Sequence, residues 1–273
     1  MTAYAFAGKT AFISGAASGI GKAVAIEFGR RGMQVVIADL DIAEAEQVAA
    51  AVPNASAVAL DVRDEGRWID ALDTAESRHG PLAVMVSNAG IAGSTLPLAD
   101  TSLSAWAWTR SINLDGAFLG LTHGARRIRA SGQPGHLVAT ASMSVFNVPP
   151  NMGTYVATKA AVVAMCEALR QELATQSIGV SVLLPGPVST RLVEANASRT
   201  PSGLDVGESS EVVIDMLRQG RDPADVAVMA ADALGTDRFW LFSHPELEHR
   251  IDTRTAEMKA AHHESRARLG DGS

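Results

Sequence analysis

The chain has 273 residues, of which 47% are hydrophobic and 19% are charged. This composition excludes a disordered protein and is normal for one α/β domain. The formal net charge of −7 argues against nucleic acid and anionic membranes, which bind basic surfaces. The sequence contains no run of about 18 apolar residues, so no membrane span is predicted. The first residues do not resemble a signal peptide. The single cysteine, Cys166, excludes an intrachain disulfide. We expect it to be buried, in a protein of the reducing cytoplasm.

The first elements are predicted to be a strand, a glycine-rich turn, a helix and a second strand. Residues 9–14 are a short apolar run, a turn with Gly15, Gly19 and Gly21 follows, and residues 34–38 are a second apolar run. Between the two runs, apolar residues recur four apart, as on one face of a helix. In such a βαβ unit, a glycine turn can bind the pyrophosphate of a dinucleotide at the helix N-terminus. The spacing differs from G-x-G-x-x-G, since three residues separate the first two glycines.

Two aspartates follow the second strand. Asp41, with Glu44 three residues later, has the pattern of a helix N-cap. Asp39 lies 18 residues after Gly21, about where an acidic residue accepts hydrogen bonds from the adenosine ribose. A carboxylate there repels a 2′-phosphate, so Asp39 favours NAD over NADP. A turn or capping role is the alternative for Asp39.

Strands and helices alternate along the rest of the chain. Further strands are predicted at residues 56–60, 82–86, 136–141, 180–184 and 238–242, and long helices at residues 101–130 and 155–176. Shorter helical patterns follow at residues 211–219 and 223–234, with a terminal helix within residues 248–273. The alternation predicts an α/β fold, a doubly wound, Rossmann-like parallel sheet of about seven strands with helices on both faces. Residues 194–210 are polar and are expected to form a mobile loop. No linker divides the chain, so we expect one domain over residues 1–273.

The stretch from Ser142 to Lys159 carries the candidate catalytic residues. Tyr155 and Lys159 are four residues apart in an Ala-rich, helix-forming run, which places both side chains on one helix face. A cation beside a phenol lowers a pKa that is otherwise about 10, so Tyr155 is a candidate general acid/base. Ser142 follows the strand at residues 136–141, where its hydroxyl can hydrogen-bond a substrate oxygen. Asn113, within a predicted helix, either faces solvent or holds a buried water.

Eight motifs resemble, in order and spacing, those of short-chain dehydrogenases/reductases from residue 9 to residue 190. They are Gly15-x-x-x-Gly19-Ile20-Gly21, Asp39, Asp61, Asn88-Ala89-Gly90, Asn113, Ser142, Tyr155-x-x-x-Lys159 and Pro185-Gly186. The resemblance implies an NAD-dependent oxidoreductase of the secondary-alcohol dehydrogenase type, which acts on a small-molecule alcohol or ketone. It also implies a homotetramer or a dimer.

The resemblance further implies a role for each matching residue. Tyr155 would donate and accept the proton, Lys159 would bind the nicotinamide ribose and lower the Tyr155 pKa, and Ser142 would orient the substrate oxygen. Asn113 would anchor a water of a proton relay. Further cofactor contacts would come from Gly15, Ser18, Gly19, Ile20, Gly21, Asp39, Asp61, Val62, Asn88, Ala89, Gly90, Pro185, Gly186, Val188 and Thr190. Among these, Asp61 would lie at the adenine, Asn88 beside the ribose, and Val188 and Thr190 at the nicotinamide amide.

The chain departs from the family pattern at a few positions. Ser87, Ala139 and Ala141 stand where an Asn, an Asn and a Ser are common, and none of these changes removes a catalytic group. After residue 190 the sequence matches the family pattern less well. Members of the family recognise their substrates with the C-terminal third of the chain. We expect residues 191–225 to cover the substrate and residues 245–273 to form a C-terminal extension.

Apolar residues beside the catalytic pair predict the substrate class. The candidate pocket walls are Met143, Val145, Phe146, Val148 and Met152. They favour a bulky, uncharged secondary alcohol or ketone, since a polyol would lose hydration there without gaining partners. Packing against a neighbouring subunit is the alternative for these side chains. Arg191 and Arg199 are expected to be solvated, with carboxylate binding as their alternative.

Three other functions are weighed against this prediction. An NADPH-preferring ketone or 3-oxoacyl reductase would carry a basic residue beside the glycine turn or after the second strand, where Ser18 and Leu40 stand. A non-catalytic NAD-binding sensor would be expected to lose a catalytic side chain. A metal hydrolase is disfavoured because His244 and His249 are five apart without a glutamate beside the first, which is not a zinc pattern. No metal is therefore expected, and these histidines are more typical of solvated or capping residues.

Overall fold

Short runs rich in Val, Ile and Ala form one parallel sheet. The structure is a computed structural model that describes residues 6–270. The strands are β1 (Thr10–Ser14), β2 (Gln34–Asp39), β3 (Ala55–Ala59), β4 (Leu82–Ser87), β5 (Gly135–Thr140), β6 (Ile178–Leu184) and β7 (Trp240–Phe242). They lie in the order β3-β2-β1-β4-β5-β6-β7 and are all parallel. The predicted seven-stranded, doubly wound sheet is confirmed.

Helices cover both faces of the sheet. They are α1 (Gly19–Arg30), α2 (Ile42–Ala51), α3 (Glu65–His79), α4 (Leu103–Arg110), α5 (Gly116–Ser131), α6 (Gly153–Glu172), α7 (Leu192–Arg199), α8 (Glu211–Arg218), α9 (Pro223–Ala233) and α10 (Glu248–Leu269). One apolar core, with Phe12 and Trp68, lies between the sheet and α3, α5 and α6, and it includes the fully buried Cys166. The other core, with Ile13 and Phe28, lies under α1, α2 and α9. Neighbouring residues of β1 thus enter opposite cores, as the alternation of side chains along a strand requires.

The strand order reverses at the centre of the sheet. Strands β1, β2 and β3 proceed towards one edge, and β4 returns to the other side of β1. In such a sheet, ligands bind in the crevice outside the carboxyl ends of the strands at this reversal. The segments that follow β1, β4 and β5 carry the glycine turn, Asn88 and Ser142. The topology therefore brings these three predicted site segments to one edge.

Two segments differ from the sequence predictions. The helix predicted over residues 101–130 is instead α4 and α5 joined by a π-helical turn, Ser111–Asp115. Because a π-turn inserts one extra residue, it changes which side chains face inward, and Asn113 is fully buried there. Residues 194–210, predicted as a mobile loop, are helical in their first part, since α7 spans Leu192–Arg199. This polar helix is held by contacts with distant parts of the chain, described below, which local sequence does not show.

The C-terminal part ends in a long exposed helix, as predicted. Within α10, Ile251 packs against the core and Arg254 donates a hydrogen bond to the Val145 carbonyl at 2.8 Å, while most of the helix is exposed. In the part of the chain from residue 6 to residue 270, no helix is long and apolar enough to cross a membrane.

Candidate active site

The glycine turn brings backbone very close to α1. Gly15 and Gly19 have φ of +66° and +54°, a region that favours glycine. A Cβ on Gly21 would lie 2.2 Å from the Gly15 carbonyl oxygen and 2.5 Å from Nδ2 of Asn88. Ser18, which precedes α1, makes no side-chain hydrogen bond to the first turn, and that turn carries no acidic residue. The positive end of α1 is thus open to an anion, which fits the pyrophosphate of a dinucleotide.

Asn88 joins the end of β4 to the glycine turn. Its Nδ2 donates to the carbonyls of Ser14 and Gly15, each at 3.1 Å, and its Oδ1 accepts from Thr140 Oγ1 at 3.1 Å. A Cβ on Gly15 would lie only 2.7 Å from the Ala89 Cα. Asn88 therefore has a structural function at the crevice, and its predicted contact with the cofactor ribose stays a prediction.

Asp39 lies at the end of β2, beside the glycine turn. The side chain is 3% exposed; Oδ2 accepts from the Ala17 N–H at 3.0 Å and Oδ1 from the Asp41 N–H at 3.2 Å. Asp41 itself accepts from the Glu44 N–H at 3.0 Å, so its predicted function as the N-cap of α2 is confirmed. The contact with the N–H two residues later is the turn role given above as the alternative for Asp39. Its hydrogen bonds to the adenosine ribose stay a prediction.

Asp61 and Val62 follow β3. Asp61 pairs with Arg63, whose Nη2 lies 2.6 Å from Oδ2, and this hydrogen bond holds the pKa of Asp61 below its usual value. Val62 is buried, and its carbonyl accepts a 3.0 Å hydrogen bond from Trp68 Nε1. The expected position of Asp61 at the adenine stays a prediction, because the carboxylate is engaged with its own neighbour.

The catalytic candidates meet where β5 ends against α6. Ser142 and Tyr155 are both buried, and Ser142 Oγ lies 2.8 Å from Ser144 Oγ. Lys159 Nζ donates to the Thr140 carbonyl at 2.8 Å and lies 5.8 Å from the centre of the Tyr155 ring. The i, i+4 spacing on α6 therefore places the phenol and the amine on one face, with the serine hydroxyl opposite them.

Asn113 and Gly90 complete this group. The Asn113 amide pairs with the backbone of Ile91, accepting from its N–H at 2.8 Å and donating to its carbonyl at 2.9 Å. A Cβ on Gly90 would lie 3.2 Å from Asn113 Oδ1 and 3.3 Å from Lys159 Nζ. Asn113 faces the interior, so the solvent-facing alternative is wrong. Its amide is used by Ile91, and the water of a proton relay stays a prediction.

The two ionisable catalytic groups are shifted by burial. Burial raises the pKa of Tyr155, and the neighbouring Ser142 hydroxyl opposes this rise. Burial lowers the pKa of Lys159 to about 8. The Tyr155 shift is opposite to the direction expected from the sequence, because removing the phenolate from water outweighs the favourable contact with Ser142. An uncharged phenol at neutral pH is ready to donate its proton.

The segment after β6 runs across the crevice to the glycine turn. The Pro185 carbonyl accepts from the Met143 N–H at 2.9 Å, and Val188 is buried. The Thr190 methyl carbon would lie 3.2 Å from a Cβ on Gly19. The predicted cofactor residues 185–190 thus bridge the catalytic end and the anion-binding end of one site.

His244 was not predicted to take part in this site. It is buried; its Nδ1 accepts from the Gly186 N–H at 3.1 Å, and a Cβ on Gly186 would lie 2.7 Å from its ring. The ring therefore holds the Pro185-Gly186 segment in place. No group of three or more metal-ligating side chains occurs among residues 6–270. The histidine belongs to β7's carboxyl end, and only the topology brings it beside β6.

The candidate substrate residues lie in different environments. Met143 is buried in the core, whereas Met152 precedes α6 and is partly buried. The ring of Phe146 packs against Trp240 and Phe242, with centroids 6.3 and 5.9 Å apart. That packing gives Phe146 a structural function, and its contact with substrate stays a prediction.

Helix α7 closes over the crevice from the opposite side. Asn196, which is buried, accepts from the Gly93 N–H at 2.8 Å and donates to the Gly93 carbonyl at 3.2 Å. Arg199 lies against Asp39, with Nη2 3.3 Å from Oδ1. Sequence reasoning missed Asn196 and expected Arg199 to be solvated. No local signal identifies either residue, because their partners are more than 100 residues away.

The fold and the site define a dinucleotide-dependent oxidoreductase: an anion-binding glycine turn at the strand reversal, with a buried Ser, Tyr and Lys group beside it. The chain belongs to the short-chain dehydrogenase family, whose model matches residues 9–200. It is an NAD(P)-dependent enzyme that acts on the CH–OH group of secondary alcohols or on the corresponding ketones.

Relatives are similar over most of the chain. The 1-deoxy-11-beta-hydroxypentalenate dehydrogenase of Streptomyces exfoliatus is 34% identical, over 89% of this chain and 86% of the relative. The NADP-dependent (R)-specific alcohol dehydrogenase of Lentilactobacillus kefiri is 32% identical, over 75% of this chain and 86% of the relative. A short-chain dehydrogenase/reductase from Burkholderia phymatum, crystallised with NAD, superposes with a TM-score of 0.87 at 29% identity, over 94% of this chain and 96% of that one.

Replacing Ser142 with alanine should move the pH dependence of the reaction. The Ser142 hydroxyl lowers the pKa of Tyr155, so its loss lets that pKa rise further. Alcohol oxidation needs the deprotonated tyrosine as base, and we therefore expect the rising limb of kcat/KM to move to higher pH in Ser142→Ala. The control is Ser144→Ala, which alters a neighbour of Ser142 and should give a smaller shift. An unmoved limb, or one displaced to lower pH, would contradict this coupling.

Proposed function

We propose that this enzyme transfers a hydride between NAD(H) and a bulky, uncharged secondary alcohol or ketone, with Tyr155 as the proton donor and acceptor. The observation that carries the proposal is the burial of Ser142, Tyr155 and Lys159 where β5 ends against α6, with Lys159 Nζ 5.8 Å from the centre of the phenol ring. This arrangement offers one hydroxyl to hold a substrate oxygen and a second to exchange its proton. The reaction balances as alcohol plus NAD⁺ giving ketone, NADH and one proton.

Each residue has a distinct part in this mechanism. In the oxidation, Ser142 holds the substrate hydroxyl, and Tyr155 removes the hydroxyl proton as the carbonyl forms. The bound dinucleotide supplies the hydride acceptor, or the hydride donor in the reverse direction. Lys159 has a pKa of about 8, so it carries a positive charge in most molecules at neutral pH and stabilises the phenolate. In reduction, Tyr155 returns its proton to the substrate oxygen.

Replacing Tyr155 with phenylalanine tests the proton transfer. The ring and its packing remain while the acidic hydroxyl is lost, and general acid/base catalysis is typically worth about 10²–10⁴-fold. We expect kcat to fall by about that factor, while dinucleotide binding measured by calorimetry stays near the wild-type value. A Tyr155→Phe enzyme with near-normal turnover would refute the mechanism.

Asp39 supports NAD as the preferred cofactor. Its buried carboxylate lies beside the glycine turn, where it can accept hydrogen bonds from the ribose hydroxyls and would repel a 2′-phosphate. The Lentilactobacillus kefiri relative is named for NADP, and Arg199 lies against Asp39. These two observations keep an NADPH-preferring reductase as the second candidate.

Kinetics with both cofactors test the preference. We expect a higher kcat/KM with NAD than with NADP. In Asp39→Ala, the ratio of kcat/KM with NAD to kcat/KM with NADP should move closer to one, because the repulsive carboxylate is gone. Asp41→Ala is the matched control, since it removes the neighbouring carboxylate, which caps α2. Equal values for the wild-type enzyme, or a preference for NADP, would overturn the assignment.

Residues 191–225 support a covering function over the substrate. Beyond α7, the Val206 carbonyl accepts from the Thr95 N–H at 2.7 Å, and Val206 packs in a small apolar cluster with Ile91 and Trp108. This packing on the loop after β4 supports a cover that excludes water during hydride transfer and favours an uncharged substrate. Residues 245–273, with α10, form the C-terminal extension of the same domain in this proposal.

A substrate series with a methionine pair tests the substrate class. We expect 1-phenylethanol-type or steroid-type alcohols to be better substrates than polyols or acyl thioesters, by kcat/KM. In Met152→Ala, kcat/KM for the bulky alcohols should fall about tenfold, as for a lost apolar contact in a pocket. Met258→Ala, on the exposed part of α10, is the control and should have no effect. Preference for a polyol or a charged thioester would defeat the proposal.

The assembly and the location are also part of this proposal. Leu103 on α4 and Phe118 on α5 are 81% and 50% exposed, and such side chains are typical of a surface that a second copy covers. They support a homotetramer or a dimer. A single cysteine that is buried and free is compatible with the reducing cytoplasm.

A further inference from the structure

One ion pair connects the covering segment to the cofactor end of the crevice. Arg199 is the last residue of α7, and its Nη2 lies 3.3 Å from Oδ1 of Asp39, 160 residues earlier in the chain. Asp39 is almost fully buried, whereas the Arg199 side chain is 32% exposed. The pair therefore lies at the mouth of the crevice, with the carboxylate inside and the guanidinium at its rim.

Several contacts fix α7 in the position that allows this pair. Asn196 is bound through both amide atoms to the backbone of Gly93, in the loop after β4. At the other end of the helix, Arg191 forms an ion pair with Glu44 of α2. Arg199 is thus delivered to Asp39 by a helix that is anchored at both ends.

The pair changes the charge that a cofactor meets beside the glycine turn. An isolated Asp39 would present one negative charge to the adenosine ribose. The Arg199 guanidinium offsets that charge at hydrogen-bond range, and it carries five N–H donors in a planar fork that matches phosphate oxygens. A 2′-phosphate on a ribose bound at Asp39 would lie beside this fork, since a hydrogen bond spans only about 3 Å.

We propose that Arg199 is a specificity-determining residue of the cofactor site. Arg199 binds the 2′-phosphate of NADP and thereby weakens the discrimination against NADP that Asp39 alone would impose. This inference rests on the proposed position of the adenosine ribose at Asp39. The enzyme then accepts both dinucleotides, with NAD preferred. Substitution of Arg199 by a neutral residue makes the enzyme more selective for NAD.

Binding of two nucleotide fragments tests this function without the reaction. Adenosine 2′,5′-bisphosphate and adenosine 5′-monophosphate differ only in the 2′-phosphate, and calorimetry gives the Kd of each for the full-length protein. In Arg199→Gln, we expect the Kd of the bisphosphate to rise about tenfold or more, as for a lost charge-assisted contact. The Kd of the monophosphate should stay within about twofold of the wild-type value. The NADP:NAD ratio of kcat/KM should fall in parallel.

Arg127→Gln is the matched control, because it removes an ion-paired arginine that binds Glu76 beside the amino end of β4, at the edge of the sheet opposite the crevice. It should leave the ratio of the two Kd values unchanged. Arg199→Lys keeps the charge without the planar fork and should retain part of the bisphosphate affinity. If Arg199→Gln weakens both fragments equally, or neither, Arg199 only holds α7 and the inference is overturned.

Asp39→Ala separates this inference from the proposed cofactor position. If that substitution leaves the Kd of the monophosphate unchanged, the ribose does not bind at Asp39, and the proposed position fails together with the inference. If Asp39→Ala weakens the monophosphate while Arg199→Gln does not change bisphosphate binding, only the function of Arg199 is overturned. The function of Arg199 is supported if Arg199→Gln raises the Kd of the bisphosphate at low salt and raises it less at high salt. Salt screens a contact between opposite charges, so less of that contact is left to lose at high salt.

Discussion

The close approach of α1 to the end of β4 is the constraint on which the site depends. With no Cβ on Gly21, the Gly15 carbonyl and the Asn88 amide can lie within a distance that any other side chain would occupy. Asn88 then bonds to Ser14 and Gly15 and to Thr140. Three strand ends, those of β1, β4 and β5, are thereby tied together. The helix terminus that is open to an anion and the segment that carries Ser142 are therefore held in one rigid frame.

Within this frame, the burial of the candidate catalytic side chains reduces the stability of the folded protein. A buried amine without a carboxylate partner is unfavourable, and Lys159 Nζ lies against a backbone carbonyl and an aromatic ring. The lowered pKa of Lys159, about 8, and the raised pKa of Tyr155 have the same cause, removal of charge from water. The two shifts move the pKa values apart, so at neutral pH the Tyr155 phenol keeps its proton while the Lys159 amine is mostly charged.

The sequence predicted those parts of the structure that depend on spacing along the chain. The alternation of elements predicts the parallel sheet, the four-residue spacing of Tyr155 and Lys159 predicts a shared helix face, and Asp41 with Glu44 predicts the N-cap. Contacts between distant segments were not predictable. The pairing of Asn196 with Gly93 spans 103 residues, and a polar helix such as α7 has no apolar stripe to reveal it. The sequence did not predict the π-turn at Asn113, because one inserted residue leaves the helix-forming composition of the segment unchanged.

Helix α7 links the two ends of the site through separate contacts. Asn196 binds the loop at Gly93, after β4, and Arg199 reaches Asp39, at the end of β2. A helix of eight residues spans only about 12 Å, so a displacement at one end cannot be absorbed before the other. In the proposed function, a nucleotide that alters the Asp39 pair would therefore change the free energy of α7 docking, and α7 docking would change the affinity for the nucleotide by the same factor. The segment proposed to cover the substrate and the residue proposed to distinguish the cofactors belong to one helix.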